Sequence, residues 1–265
     1  MVTTSHPADV DRTPRPVHIM LTMPADDPRA VALTSAIHDG DVERLERQLR
    51  DEPQLASARI EDRHGVSRTP LHIVADWPGH CSNGARSVAA LIAAGADVDA
   101  RVLHTTTKGS PETALHWAAS SDDVTVLDAL LDGGADIEAS GAVFTGGPPM
   151  SDAVVFAQWR AARRLLERGA STAIWQAAAL GLLDRVRELC TAEPAPDHDQ
   201  ITNALWHASR GGQREVAEYL IDLGADVNWI GHDSKTPCDA AKTFGDAELV
   251  EWLRERGARH ATELR

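Results

Sequence analysis

Four short stretches decide the fold: TPLHIVA at 69–75, TALHWAA at 113–119, NALWHAS at 203–209 and TPCDAAK at 236–242. Downstream comes a second recurring signature, GADVDA at 95–100, GADIEA at 134–139, GASTA at 169–173 and GADVNW at 224–229, with a further Gly-Ala at 257–258. The third residue of the first pattern precedes the closing glycine by 19 residues in Leu115–Gly134, Leu205–Gly224 and Cys238–Gly257. Met150–Gly169 keeps that spacing of 19 in a segment without the threonine start. Constant spacing around variable chemistry marks one structural unit used repeatedly.

The unit reads physically. Thr69 and Thr236 suit a helix N-cap, and Pro70 and Pro237 sit where a missing N–H costs nothing. The small pairs Ala118–Ala119 and Ala177–Ala178 let two helices approach closely. Glycines at 181, 212 and 245 then turn the chain. A second amphipathic helix follows, as in REVAEYLIDLG at 214–224, with apolar residues at helical spacing. The closing Gly-Ala supplies a left-handed end.

The signature T-P-L-H-x-A with a period of about 33 residues resembles the ankyrin repeat. The resemblance covers residues 30 to 260 and implies an all-α solenoid of about seven helix pairs joined by finger loops. The units are expected near 31–55, 67–100, 111–140, 147–171, 173–195, 202–231 and 235–260. They form a single domain, 30–265, behind a flexible leader, 1–29, with an ordered patch at VHIMLTM (17–23).

Composition bounds the function. The 265 residues carry net charge −14, from 40 acidic against 26 basic side chains. Binding to nucleic acid or an anionic membrane is therefore not expected, since phosphate neutralisation needs clustered cations. The one basic cluster, Arg160, Arg163, Arg164 and Arg168, reads as a solvated helix face. No apolar run is long enough for a signal peptide or a membrane span. Three scattered cysteines fit a reducing, cytoplasmic setting. Only 3 of the 26 basic residues are lysine and alanine is abundant, which hints at a GC-rich bacterial genome.

In an array where regular positions report packing, irregular ones are where function can sit. From Leu71 to Gly95 is 24 residues rather than 19, so HIVADWPGHCSNG (72–84) carries five extra residues between its helices. The finger ARVLHTTTKGSPE (100–112) and the connection ASARIEDRHGVSR (56–68) are also long. The family resemblance implies that a concave groove is lined by the residues just before each inter-helix turn and by finger tips. Here those are Asp76 and Trp77, Ser120 and Ser121, Val155 and Phe156, Ala179 and Leu180, Arg210 and Gly211, Thr243 and Phe244. Finger candidates are His64, His104, Thr105, Lys108, Trp229 and His232. The N-terminal half is richer, so the candidate binding set is Asp76, Trp77, His80, His104, Ser120, Ser121, Asp122, Phe156 and Trp159.

The resemblance gives His72 and His116 a structural role, bonding to the backbone of neighbouring fingers. Trp117, Trp175, Trp206 and Trp252 are expected in the core, and Trp77, Trp159 and Trp229 at the surface. No metal site is expected, because His80, Cys81 and His104 lack paired ligand spacing, and no cofactor is implied. The expected activity is that of a soluble recognition module binding a protein partner. The alternative is a small-molecule pocket or enzyme in the second to fourth units, with Asp76, His80, His104 and Asp122 doing acid–base work between Trp and Phe walls. The two are separated by whether these side chains close around one cavity.

Overall fold

The computed structural model describes residues 21–104 and 108–264. Among them fourteen α-helices form seven antiparallel pairs. These are α1 (Pro28–His38) with α2 (Val42–Asp51), α3 (Pro70–Ala75) with α4 (Gly84–Ala93), and α5 (Ala114–Ser120) with α6 (Val124–Asp132). Next come α7 (Pro149–Val155) with α8 (Trp159–Glu167), and α9 (Ile174–Ala179) with α10 (Leu183–Thr191). The last are α11 (His198–Arg210) with α12 (Arg214–Asp222), and α13 (Pro237–Thr243) with α14 (Ala247–Glu255). Each pair stacks on the next, which makes an all-α solenoid. The expected leader lies outside the described residues up to residue 20; from 21 onward the chain is folded, with Met23 buried.

The long N-terminal connections are not open loops. Strand β1 (Thr22–Pro24) runs parallel to β2 (Arg59–Glu61), which pairs antiparallel with β3 (Val66–Arg68), which pairs antiparallel with β4 (Leu103–His104). Asp62 closes the β2–β3 turn by accepting the N–H groups of His64 and Val66 at 2.8 and 3.0 Å. Three fingers' worth of chain thus forms one small sheet beside the first two helix pairs.

First helices start in a shared way. Thr69 caps α3 reciprocally with His72, and Thr113 caps α5 with His116. The hydroxyl to Nδ1 distances are 2.8 and 2.9 Å. His72 Nε2 then reaches the Glu112 carbonyl and His116 Nε2 the Gly147 carbonyl, both at 3.2 Å. A carbonyl only accepts, so Nε2 carries the proton and Nδ1 stays bare to accept from the threonine. Burial drives both rings below 6.5, His72 to about 3 and His116 to about 4. Second helices start on Asp41, Asp123 and Asp246, whose carboxylates accept an N–H three residues on.

The interior divides in two. One cluster of buried side chains runs from Met23 to Leu180, with Leu71, Leu115, Met150 and Leu165 at its centre. The other runs from Ala177 to Ala258, around Leu205, Leu220 and Leu253. They meet at α9, in the shortened fifth pair. Arg210, at the end of α11, spans this junction: its guanidinium donates to the carbonyls of Val154 (3.0 Å) and Val155 (2.7 Å) on α7. It also lies over Phe244, 5.2 Å from the ring centre.

His116→Ala is expected to destabilise the array by ~1–3 kcal/mol near pH 7, through the orphaned Thr113 and Gly147 groups. The unfolded chain takes up a proton below pH 6.5 that the folded His116 excludes down to about 4. Wild-type stability therefore falls across that window. The gap between the two proteins should narrow from pH 6.5 toward 4 in urea unfolding followed by circular dichroism.

Candidate functional site

The inter-helix positions of the second, third and fourth pairs converge on one depression. Asp76 ends α3 in an extended conformation and Trp77 follows it out of the helix. Ser120 and Ser121 end α5, and Phe156 ends α7. Together with Glu112, Trp117 and Val143 they line one depression of about 200 Å³. Trp77 is 80% exposed and Phe156 42% exposed. Phe144, on the finger after the third pair, is 72% exposed with its ring centre 5.9 Å from that of Phe156. Trp77, Phe144 and Phe156 put three aromatic rings in water close together, and such patches mark interaction sites.

The five extra residues hold Trp77 in place. The loop they make is latched on both sides. His80 donates its backbone N–H to Asp123 Oδ2 at 2.6 Å, and Asn83 donates its side-chain amide to the Gly40 carbonyl at 3.0 Å. Gly79 adopts φ +74° with Ser121 against it: an added Cβ there would sit 3.0 Å from Ser121 Cβ. Gly40 is tighter, since a Cβ would fall 2.3 Å from the Ser82 carbonyl oxygen. The loop bridges the turns of the first and third pairs, and Trp77 projects from a fixed base.

Of the expected site residues, Asp76, Trp77, Ser120, Ser121 and Phe156 come together. Arg68 Nη1 donates to Asp76 Oδ2 at 2.6 Å. Burial still leaves the Asp76 carboxyl above its ordinary range, with Arg68 opposing. The two serine hydroxyls are spent on helix carbonyls, Ser120 on Trp117 (3.0 Å) and Ser121 on Trp117 (2.8 Å) and Ala75 (3.3 Å). The other candidates stand apart from the depression. His80 is exposed, with its ring Nδ1 3.9 Å from Asp123. Asp122 caps α8, accepting the Ala161 N–H at 2.7 Å, with Arg160 at 3.8 Å. His104 turns Nε2 to the Ser110 carbonyl at 3.2 Å, and Trp159 packs half-buried on the core. Thr105 lies outside the described residues. Asp76, His80, His104 and Asp122 therefore do not close around one cavity. The volume is also below the roughly 300–1,000 Å³ of a typical small-molecule pocket.

Cysteine chemistry is disfavoured too. Burial and the charges of Asp123 and Asp76 push the Cys81 thiol up, the reverse of activation. Cys238 lies 3.8 Å from His260 Nε2, whose Nδ1 meets Asp239 at 2.7 Å. This resembles a catalytic triad but closes the C-terminal repeat. Asp239 takes the place of the capping histidine and also accepts the Ala261 N–H at 2.8 Å, while Cys238 is fully buried. Arg164 and Arg168 of the basic cluster are held by Asp128 (2.8 and 2.7 Å), and Arg168 also by Asp132 (2.7 Å).

Glu112, Trp117 and Val143 are the lining residues that sequence reasoning missed. Trp117 lies in the same motif as the buried Ala118 and Ala119, yet its ring is half-buried and stands edge-on to His72 with centroids 5.1 Å apart. Glu112 belongs to a finger with no periodic signal. Behind it lies Asp152, buried on α7, with Oδ1 accepting the Val143 N–H at 3.2 Å. Burial first, and the Glu112 charge second, lift Asp152 from 3.8 to about 8. Burial also raises Glu112, against the Trp117 indole, which donates to it, and nearby His104.

Comparison with known proteins fits this geometry. Profiles of the ankyrin repeat match residues 67–102 and 111–139, and one described as three copies of the repeat matches 174–263. The chain belongs to the ankyrin repeat family. It is 29% identical over 174 residues to an ankyrin repeat and KH domain-containing protein of Caenorhabditis briggsae, covering 63% of this chain and 6% of that one. It is 25% identical over 216 residues to the transient receptor potential cation channel subfamily A member 1 of Drosophila melanogaster, covering 74% of this chain and 17% of that one. The chain thus spans a small part of either relative. Both are eukaryotic, so the bacterial origin suggested by composition gains no support. Among the described residues no helix is long and apolar enough to cross a membrane.

The folded Asp152 keeps its proton well above pH 3.8, where the unfolded chain ionises, so stability is lost as pH rises toward 8. Asp152→Asn removes that titration and retains the oxygen facing Val143. It should be more stable than wild type by on the order of 2 kcal/mol at pH 8. The two should be alike near pH 4, as read by thermal melts at both values.

Proposed function

We propose that this chain is a recognition module whose concave groove, across the second to fourth ankyrin repeats, binds a segment of a protein partner. The observation that carries the reading is the convergence of Trp77, Trp117 and Phe156 from three successive repeats on one shallow, open depression. Shallow, aromatic surfaces suit a peptide or protein face, and tryptophan is enriched among residues that dominate binding energy. The net charge of −14 favours partners with basic or mixed charge. The free cysteines fit a reducing compartment such as the cytoplasm.

The test uses peptides selected from a random displayed library on the full chain. Trp77→Ala and Phe156→Ala should each weaken binding of the selected peptides at least about tenfold, as hot-spot truncations do. Trp77 is mostly solvated, so helical circular dichroism should be unchanged. Peptides that bind both variants as well as wild type would move the site elsewhere.

A further inference from the structure

The depression is asymmetric in charge. Its walls are apolar: Trp77 and Phe156 face solvent, with Trp117 and Val143 between them. Its two carboxylates are differently placed. Asp76 already holds Arg68 at 2.6 Å, and Arg68 is also shared with Asp62 at 3.7 Å. Among the described residues no arginine or lysine pairs with Glu112: it is hydrogen-bonded to the Trp117 indole and the Asp152 carboxyl, with His104 nearby. A negative group therefore sits among aromatic rings with its nearest carboxyl neighbour, Asp152, buried behind it.

We propose that this depression is a subsite for one basic side chain of the partner, a lysine or an arginine, with its cationic head against Glu112 and its aliphatic stem across Trp77 and Phe156. The inference rests on the groove reading above and specifies what the groove takes. Size agrees, since about 200 Å³ holds one long side chain. Long basic side chains bury their methylenes on apolar surface while their charged heads pair, which is the division this depression offers. Arginine or lysine here would neutralise the groove carboxylate that pairs with no arginine or lysine among the described residues. An acidic or purely apolar side chain would leave Glu112 desolvated and unpaired, which is the larger penalty. The flanking Asp76–Arg68 pair is closed on itself and presents no free charge of either sign. Specificity therefore falls on Glu112.

The experiment takes the library-selected peptides whose binding depends on Trp77 and Phe156. They should share a lysine or arginine. Replacing it with norleucine should weaken binding about tenfold or more, read by fluorescence polarisation. Glu112→Gln should cost about the same for the parent peptide and little for the norleucine peptide, so that the two losses are not additive. The norleucine arm needs no protein variant, so it stands even if Glu112→Gln perturbs the fold. Groove-dependent peptides that lack a basic residue, or that tolerate norleucine, overturn the subsite and leave the groove reading intact. If no selected peptide depends on Trp77 or Phe156, the groove reading fails and the subsite with it.

Discussion

The bond from each first-helix histidine to the next finger is the constraint on which the rest depends. His72 accepts from Thr69 within its own repeat and donates to the Glu112 carbonyl of the next. One ring thus starts a helix and sets the height of the neighbouring finger. The finger it sets carries Glu112, whose side chain lines the depression beside Trp77 and Phe156. Scaffold and site share a residue: the Glu112 backbone belongs to the stacking lattice, and its carboxylate to the surface. A neutral, buried imidazole makes this possible, because a protonated Nδ1 could not accept from Thr69.

Around that lattice the departures from regularity have a division of labour. The insertion between α3 and α4 could have been a mobile arm. Its contacts with Asp123 and Gly40 make it a brace between three consecutive turns, and the exposed Trp77 is what the brace presents. The long fingers fold into a sheet rather than reaching into solvent. Polar residues near the groove are largely committed: Ser120 and Ser121 to carbonyls, Asp122 to a helix start, Asp76 to Arg68. What remains is aromatic surface and, at Glu112, a carboxylate whose neighbours among the described residues are an indole and another carboxyl rather than an arginine or lysine.

Much of this was legible in the sequence for a definite reason. The spacing of 19 residues in four units fixes the repeat frame, and the family resemblance laid on that frame groups Trp77, Ser120 and Phe156, which do line one depression. The family resemblance implies the structural role of His72 and His116, and both rings do bond to the next finger's backbone. Asp122 was misplaced because its function lies in the next repeat, where it caps α8 across 39 positions of sequence. His80 looked like a site residue because the reading could not see Asp123 beside it. Trp117 was assigned to the core on helix phase alone, although a ring is large enough to fill the core with one edge and face water with the other. Glu112 and Asp152 lie one repeat apart at positions that carry no motif themselves, and only stacking brings them together.

Arg210 bears on how the molecule comes apart. In an ideal repeat array each unit touches only its neighbours, and stability is a sum of local terms that can fray one unit at a time. The guanidinium of Arg210 reaches from the sixth pair over the fifth to the fourth, across the seam where the two buried clusters meet. That is a next-nearest-neighbour coupling in an otherwise one-dimensional chain. Separating the sixth pair from the fifth therefore also costs two hydrogen bonds made to the fourth, so opening at this seam is not a purely nearest-neighbour event.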